Sequence, residues 1–271
     1  MPSLYARLLS VVALAICLGF VAGCAGAAET DPDGKLFQPS VAPLADVQQA
    51  LNRADDGDRL ALVVLGANWC HDSRALASRL HSPPLAELIQ QEYEVVFVDV
   101  GYLDKGRDVL QQFDVPQFYA TPTVLIIDPS SGALVNDEDR HMWANAYSID
   151  MPSSVQYFEK WATTDPVTDA AADSAQLRQL YAEIDQFEQQ LAERVAAGYA
   201  VVGPMLEAYK GDEAPEGFDA SWNELRDFRM AIPDDIRELR DEAQRRVSAG
   251  EEDIQLAFPD YPLLSWEAEK S

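Results

Sequence analysis

Six consecutive apolar residues, Leu60-Ala61-Leu62-Val63-Val64-Leu65, lead into the hexapeptide Trp69-Cys70-His71-Asp72-Ser73-Arg74. No polar side chain interrupts the run. Its shortness and β-branching predict a strand buried on both faces. From Arg74 to Leu80 the spacing changes, with Ala75, Leu76 and Leu80 apolar and Arg74, Ser78 and Arg79 polar. That is the period of an amphipathic helix. A strand with no solvated face needs a layer above and a layer below, so the chain must build an α/β core. Cys70 falls at the junction, near the helix N-terminus, where unpaired N–H groups and the helix dipole favour a thiolate.

The flanking patterns extend this unit. Leu44, Val47 and Leu51 share a helical face with Pro43 at its start, and Asp55-Asp56-Gly57-Asp58 reads as a turn. Ser82-Pro83-Pro84 breaks the chain before a helical face at Leu85, Leu88 and Ile89. Val95 to Val100 reads as a second buried strand, and Val109, Leu110 and Phe113 mark a short helix. Val124 to Asp128, the turn Pro129 to Gly132, and Ala133-Leu134-Val135 predict a strand and its returning partner. Val155, Phe158 and Trp161 give the face of a last helix. The order is β-α-β followed by β-β-α, which suits a mixed sheet with helices on both faces.

Strand, Trp-Cys-x-x-Ser-Arg and helix, then Ala120-Thr121-Pro122-Thr123 directly before a strand, resemble the thioredoxin-like superfamily. Its usual motif is W-C-x-x-C. The resemblance covers residues 43–164 and implies a thioredoxin-like fold with a cis bond before Pro122, a residue facing the cysteine. It also implies that Cys70 attacks a disulfide. Ser73 stands where the resolving cysteine would be, and a hydroxyl cannot displace a thiol, so release requires an external thiol. Val64 occupies the family position of a buried carboxylate that assists resolution. Trp69 matches the family tryptophan beside the cysteine, which either flanks a substrate groove or merely packs, and Thr121 matches the family position whose backbone pairs with an extended chain.

His71 and Asp72 pull in opposite directions, since a cationic imidazole stabilises a thiolate and a carboxylate opposes it. The plain alternative is that both cap an exposed helix start. Cys70, His71, His81 and His141 are too few soft ligands for a tight metal site, and no phosphate-cradling glycine loop accompanies a strand and helix, so neither metal nor cofactor is expected.

Residues 1–23, with Arg7 ahead of an apolar run to Phe20, have the layout of a secretory signal. Val21-Ala22-Gly23-Cys24 resembles a bacterial lipobox, which implies lipid on Cys24, and Ala25 after it resembles an outer-membrane sorting signal. Ordinary cleavage after Ala25-Gly26-Ala27 is the alternative. The expected location is therefore periplasm-facing and lipid-anchored, with 24–42 as a flexible tether rich in Gly, Pro, Ala and acids. Removal of Cys17 with the signal and lipidation of Cys24 would leave Cys70 as the one thiol, a notable feature for an oxidising compartment. A formal net charge of −26 argues against nucleic acid, whose phosphates need Lys and Arg.

Asp165 to Ala172 reads as a linker, and the chain beyond it is helical and acidic, with 25 acids against 10 bases from residue 165 on. One long stripe runs from Leu177 to Val195. Shorter patterns surround Val202 to Tyr209, Trp222 to Phe228, and Ile236 to Val247, with Pro233-Asp234-Asp235 as a helix start. The tail carries Phe258, Tyr261, Leu263, Leu264 and Trp266. The thioredoxin-like resemblance does not reach this 165–271 extension. Two functions stay open. One is a monothiol oxidoreductase or isomerase, with Cys70 as nucleophile, Ser73 and His71 tuning it, and Trp69, Thr121 and Pro122 contacting protein thiols or disulfides. The other is a non-catalytic binding or assembly lipoprotein that holds a partner in the groove or on the extension.

Overall fold

The computed structural model describes residues 35–164 and 174–268. The signal, lipidation at Cys24, most of the tether and the linker from Asp165 to Ala172 lie outside the described residues.

The sheet has three strands in the order β2-β1-β3. The central β1 (Leu60–Gly66) runs parallel to β2 (Tyr93–Asp99), with Val63 opposite Val96. It runs antiparallel to β3 (Thr123–Ile127), with Val63 opposite Leu125. Alternation along β1 divides the core: Ala61, Val63 and Leu65 face one side, Leu62 and Val64 the other. The second side is filled by α2 (His71–Leu80), α3 (Leu85–Glu92) and α5 (Met151–Ala162), through Leu76, Leu80, Leu85, Ile89, Phe158 and Trp161. On the first side lie α1 (Pro43–Asp56) and the short α4 (Arg107–Gln111). This is the thioredoxin-like fold: a small mixed sheet with helices on both faces and a helical region after it.

Two strands differ from the sequence pattern. β2 is mostly half-buried because it is an edge of the sheet. The return strand expected at 133–135 contributes a single bridge, Leu134 to Ile127. Beyond it the Asn136 side chain takes the place of a strand, accepting from the Ile126 N–H at 2.7 Å and donating to the Val124 carbonyl at 2.9 Å. The chain then continues through 3-10 turns at Asp137–Asp139 and Met142–Ser148.

The helical extension also differs. The separate short helices expected after Val195 are parts of two long ones, α6 (Ala175–Lys210) and α7 (Phe218–Ser248), with a loop through Gly211 and Gly217 between them. Pro233 does not start a helix; it lies inside α7. An interior proline costs about 3 kcal/mol. The buried stripe Leu225, Phe228, Ile232, Ile236 and Leu239 continues across it, and each such side chain contributes roughly 1.5–3 kcal/mol. Burial therefore outweighs the break. The tail, ending in α8 (Ser265–Ala268), packs back on this pair, with Leu264 and Trp266 buried and Arg194 paired to Glu267 at 2.8 Å. Among the described residues no helix is long and apolar enough to cross a membrane.

The two regions share one core. Leu177, Val195, Tyr199, Val202 and Leu225 belong to the same buried cluster as Ala61, Val63, Leu110 and Phe118. The extension is the outer layer on the α1 side of the sheet.

Candidate active site

Cys70 is the N-cap of α2, with extended backbone angles of −84° and 125°. Its N–H donates to the Ala67 carbonyl, and its own carbonyl accepts from Arg74, which closes the first helical turn. The residue is 8% exposed, and its Sγ donates to the Thr121 carbonyl at 3.1 Å. The peptide bond between Thr121 and Pro122 is cis, and both residues are buried. Three expected site residues, Cys70, Thr121 and Pro122, thus meet where α2 begins and β3 approaches.

Ser73 is fully buried beneath this point. Its Oγ accepts the Ala67 N–H at 3.3 Å and forms no hydrogen bond with Cys70. A Cβ on Gly66 would stand 2.7 Å from this Oγ and 2.6 Å from the Phe37 ring, so only glycine allows β1 to end this close to α2. Among the described residues Cys70 is the one free cysteine.

His71 faces solvent, and its Nε2 lies 3.0 Å from Asp72 Oδ2. Asp72 is not the solvated cap that its position suggests. It is 7% exposed, and its other oxygen accepts the Tyr147 N–H at 2.9 Å. The exposed Tyr147 ring meets the His71 ring edge-on at 5.8 Å. Asp72 therefore ties the turn at Met142–Ser148 to the start of α2 and holds the imidazole. Nothing local in the sequence signals this, because Tyr147 lies 75 residues away.

Trp69 donates Nε1–H to the Gly101 carbonyl at 2.7 Å and meets Trp222 of α7 edge-on at 6.4 Å. It borders a cleft of about 830 Å³ between α6 and the loop from Gly101 to Arg107, with Tyr102, Phe118 and Tyr199 among its walls. Next to this cleft the segment before Pro122 is gripped by the extension. Tyr199 of α6 donates its hydroxyl to the Phe118 carbonyl at 2.7 Å, and Arg229 of α7 donates to the Tyr119 carbonyl. The Tyr119 hydroxyl donates to Glu188 of α6, which also pairs with Arg140 at 3.2 Å. Burial, and then Glu188, push the Tyr119 phenol far up, while burial draws Arg140 down against the pull of Glu188. The sequence carries one cue to these residues: Glu188 and Arg229 are charges set within otherwise apolar helical stripes.

The remaining histidines stay apart from Cys70. His81 is exposed, with Nδ1 2.7 Å from the Ala77 carbonyl and its ring stacked on Phe97. Both ring nitrogens of His141 are shut from solvent without a hydrogen-bond partner. Burial, with Arg140 beside it, holds this imidazole well below its usual value. Among the described residues no three His, Cys, Asp or Glu side chains come together as a metal site would need.

A family model described as thioredoxin-like matches residues 42–129, from the start of α1 past β3, and so takes in both Cys70 and Thr121-Pro122. The α/β part of the chain has a thioredoxin-like fold. Among solved structures, the disulphide isomerase from Xylella fastidiosa Temecula1 is similar at 27% identity, over 46% of this chain and 94% of that one, with a TM-score of 0.43. No curated protein matches the chain.

Proposed function

We propose that this is an exported, periplasm-facing protein that carries out monothiol thiol–disulfide exchange through Cys70. The observation that carries the reading is the Cys70 Sγ at the N-cap of α2, 3.1 Å from the carbonyl of Thr121, beside the cis Thr121-Pro122 bond. The Cys70 thiolate attacks one sulfur of a substrate disulfide; a mixed disulfide forms and the other sulfur leaves as a thiolate. With Ser73 at the resolver position, the mixed disulfide is opened by an external thiol, which restores Cys70. Trp69, Thr121 and Pro122 receive the substrate chain, and His71, oriented by Asp72, stands at the mouth. The lipobox-like Val21-Ala22-Gly23-Cys24 supports a lipid anchor on Cys24. The Cys24→Ala variant should then lose incorporation of a labelled fatty acid and leave the membrane fraction.

The test of exchange is mass spectrometry of the full-length protein after incubation with a peptide disulfide. A mixed disulfide on Cys70 should accumulate and then collapse on addition of a small thiol, and Cys70→Ala should form none. A Cys70 that stays unmodified until the protein unfolds would sink the reading.

The burial of Cys70 and the engagement of its S–H favour a second reading, a non-catalytic binding lipoprotein. In that case Cys70→Ala is silent in vivo, while substitutions at the groove or on the extension are damaging.

A further inference from the structure

α7 reaches the surroundings of Cys70 through two side chains. Trp222 and Arg229 are seven residues apart on this helix and therefore share a face. Trp222 meets Trp69, the residue before Cys70, edge-on. Arg229 donates to the Tyr119 carbonyl, two residues before Thr121, whose carbonyl accepts the Cys70 S–H. The Arg229 guanidinium also lies 5.7 Å from the Trp222 ring, so the two contacts are one assembly. From α6, Tyr199 holds the adjacent Phe118 carbonyl and stacks on the Phe118 ring with centroids 5.0 Å apart.

The choice of residue at 229 is unusual. Arg229 is 7% exposed, and among the described residues it pairs with no carboxylate. A buried charge without a counterion is destabilising, and apolar packing between α7 and the sheet would avoid that penalty. What a guanidinium supplies and an apolar side chain cannot is a fixed, planar donor to a backbone carbonyl. Here that carbonyl belongs to the segment that sets where Thr121 and Pro122 stand relative to Cys70.

We propose that the helical extension is a working part of the thiol site, in which Arg229 and Trp222, supported by Tyr199, are positioning residues for exchange at Cys70. This rests on the exchange reading above. Arg229 fixes the loop wall of the groove and Trp222 fixes the Trp69 wall, so an extended substrate chain meets a preformed edge at Thr121. A thioredoxin-like domain without the extension would lack both restraints.

The experiment compares two reagents on the purified full-length protein. A peptide disulfide must lie along the Thr121 edge to bring its S–S bond to Cys70, whereas iodoacetamide, too small to use the groove, reports access and reactivity of the sulfur alone. Rate constants would be measured for the unchanged chain, Arg229→Gln, Trp222→Phe and Arg226→Gln. Arg226 is the control, an exposed arginine of α7 paired to Asp227. The expected result is that Arg229→Gln and Trp222→Phe each lower the disulfide rate by roughly tenfold, the scale of a small misplacement at a reacting centre. Their iodoacetamide rates should not fall, and Arg226→Gln should change neither. If Arg229→Gln fails to fold, Trp222→Phe decides. Equal losses with both reagents, in step with a lowered unfolding midpoint, would mean a purely structural role and overturn the proposal. So would unchanged rates in a folded variant. If Cys70 of the unchanged chain reacts with iodoacetamide but not with the disulfide, the exchange reading itself has failed, a result distinct from failure of the positioning role alone.

Discussion

His141 shows how much a single side chain can conceal. It follows Arg140 in a stretch that reads as polar, yet its ring nitrogens are buried without partners and its ring packs 5.4 Å from that of Tyr119. Because its pKa in the fold lies well below the unfolded value, the native imidazole stays neutral while the unfolded chain takes up a proton below about pH 6.5. Its contribution is thus complete above that pH and is lost as the pH falls. The His141→Phe variant should lose less of its thermal midpoint than the parent between about pH 6.5 and 5; calorimetry across that range checks it. Asp72, Glu188 and Arg229 belong with His141. All four are polar residues held inside, Asp72, Glu188 and Arg229 by partners far along the chain, and local periodicity reads them as solvated unless an apolar stripe visibly runs through them. Cys70 is legible for the opposite reason, since its setting is made by its immediate neighbours.

Among the elements, α6 makes a close backbone approach. Gly203 lets the helix lie against the loop beyond β2, where an added Cβ would stand 2.4 Å from the Tyr102 carbonyl oxygen. A backbone oxygen cannot swing aside, so Gly203→Ala should cost about 1–3 kcal/mol, the usual penalty of overpacking. A shift in the denaturation midpoint without a change in slope would register that loss. The same helix contains Pro204 and continues past it to Lys210. Pro233 in α7 looks like a boundary in sequence because a short window registers the lost N–H and not the packing on either side of it. The return strand after β3 fails to form for a related reason. Ala133-Leu134-Val135 has the composition of a strand, but the Asn136 amide satisfies the backbone of β3 that a longer strand would have paired.

For the whole molecule, the central point is that the core does not stop where the composition changes. Phe118, Leu125 and Ile127 share a buried cluster with Leu177, Val195, Val202 and Leu225. A chain cut after residue 164 should therefore expose the α1 side of its sheet and aggregate or lose cooperative unfolding. Size-exclusion chromatography with a thermal melt would show it, and a monomeric, cooperatively folding fragment would refute it. The strand entering Trp69-Cys70, the helix leaving it and the strand after Thr121-Pro122 are readable from residues alone, because apolar runs, turn residues and prolines act over a few positions. Their assembly into a thioredoxin-like fold follows from the order of those patterns. Tertiary structure alone decides that α6 and α7 lie against this fold, that Asp72 and Arg229 are buried, and that Trp222 meets Trp69. Those facts depend on contacts across 75 residues for Asp72 and Tyr147 and across 110 for Arg229 and Tyr119, and no short-range pattern encodes a partner at that distance.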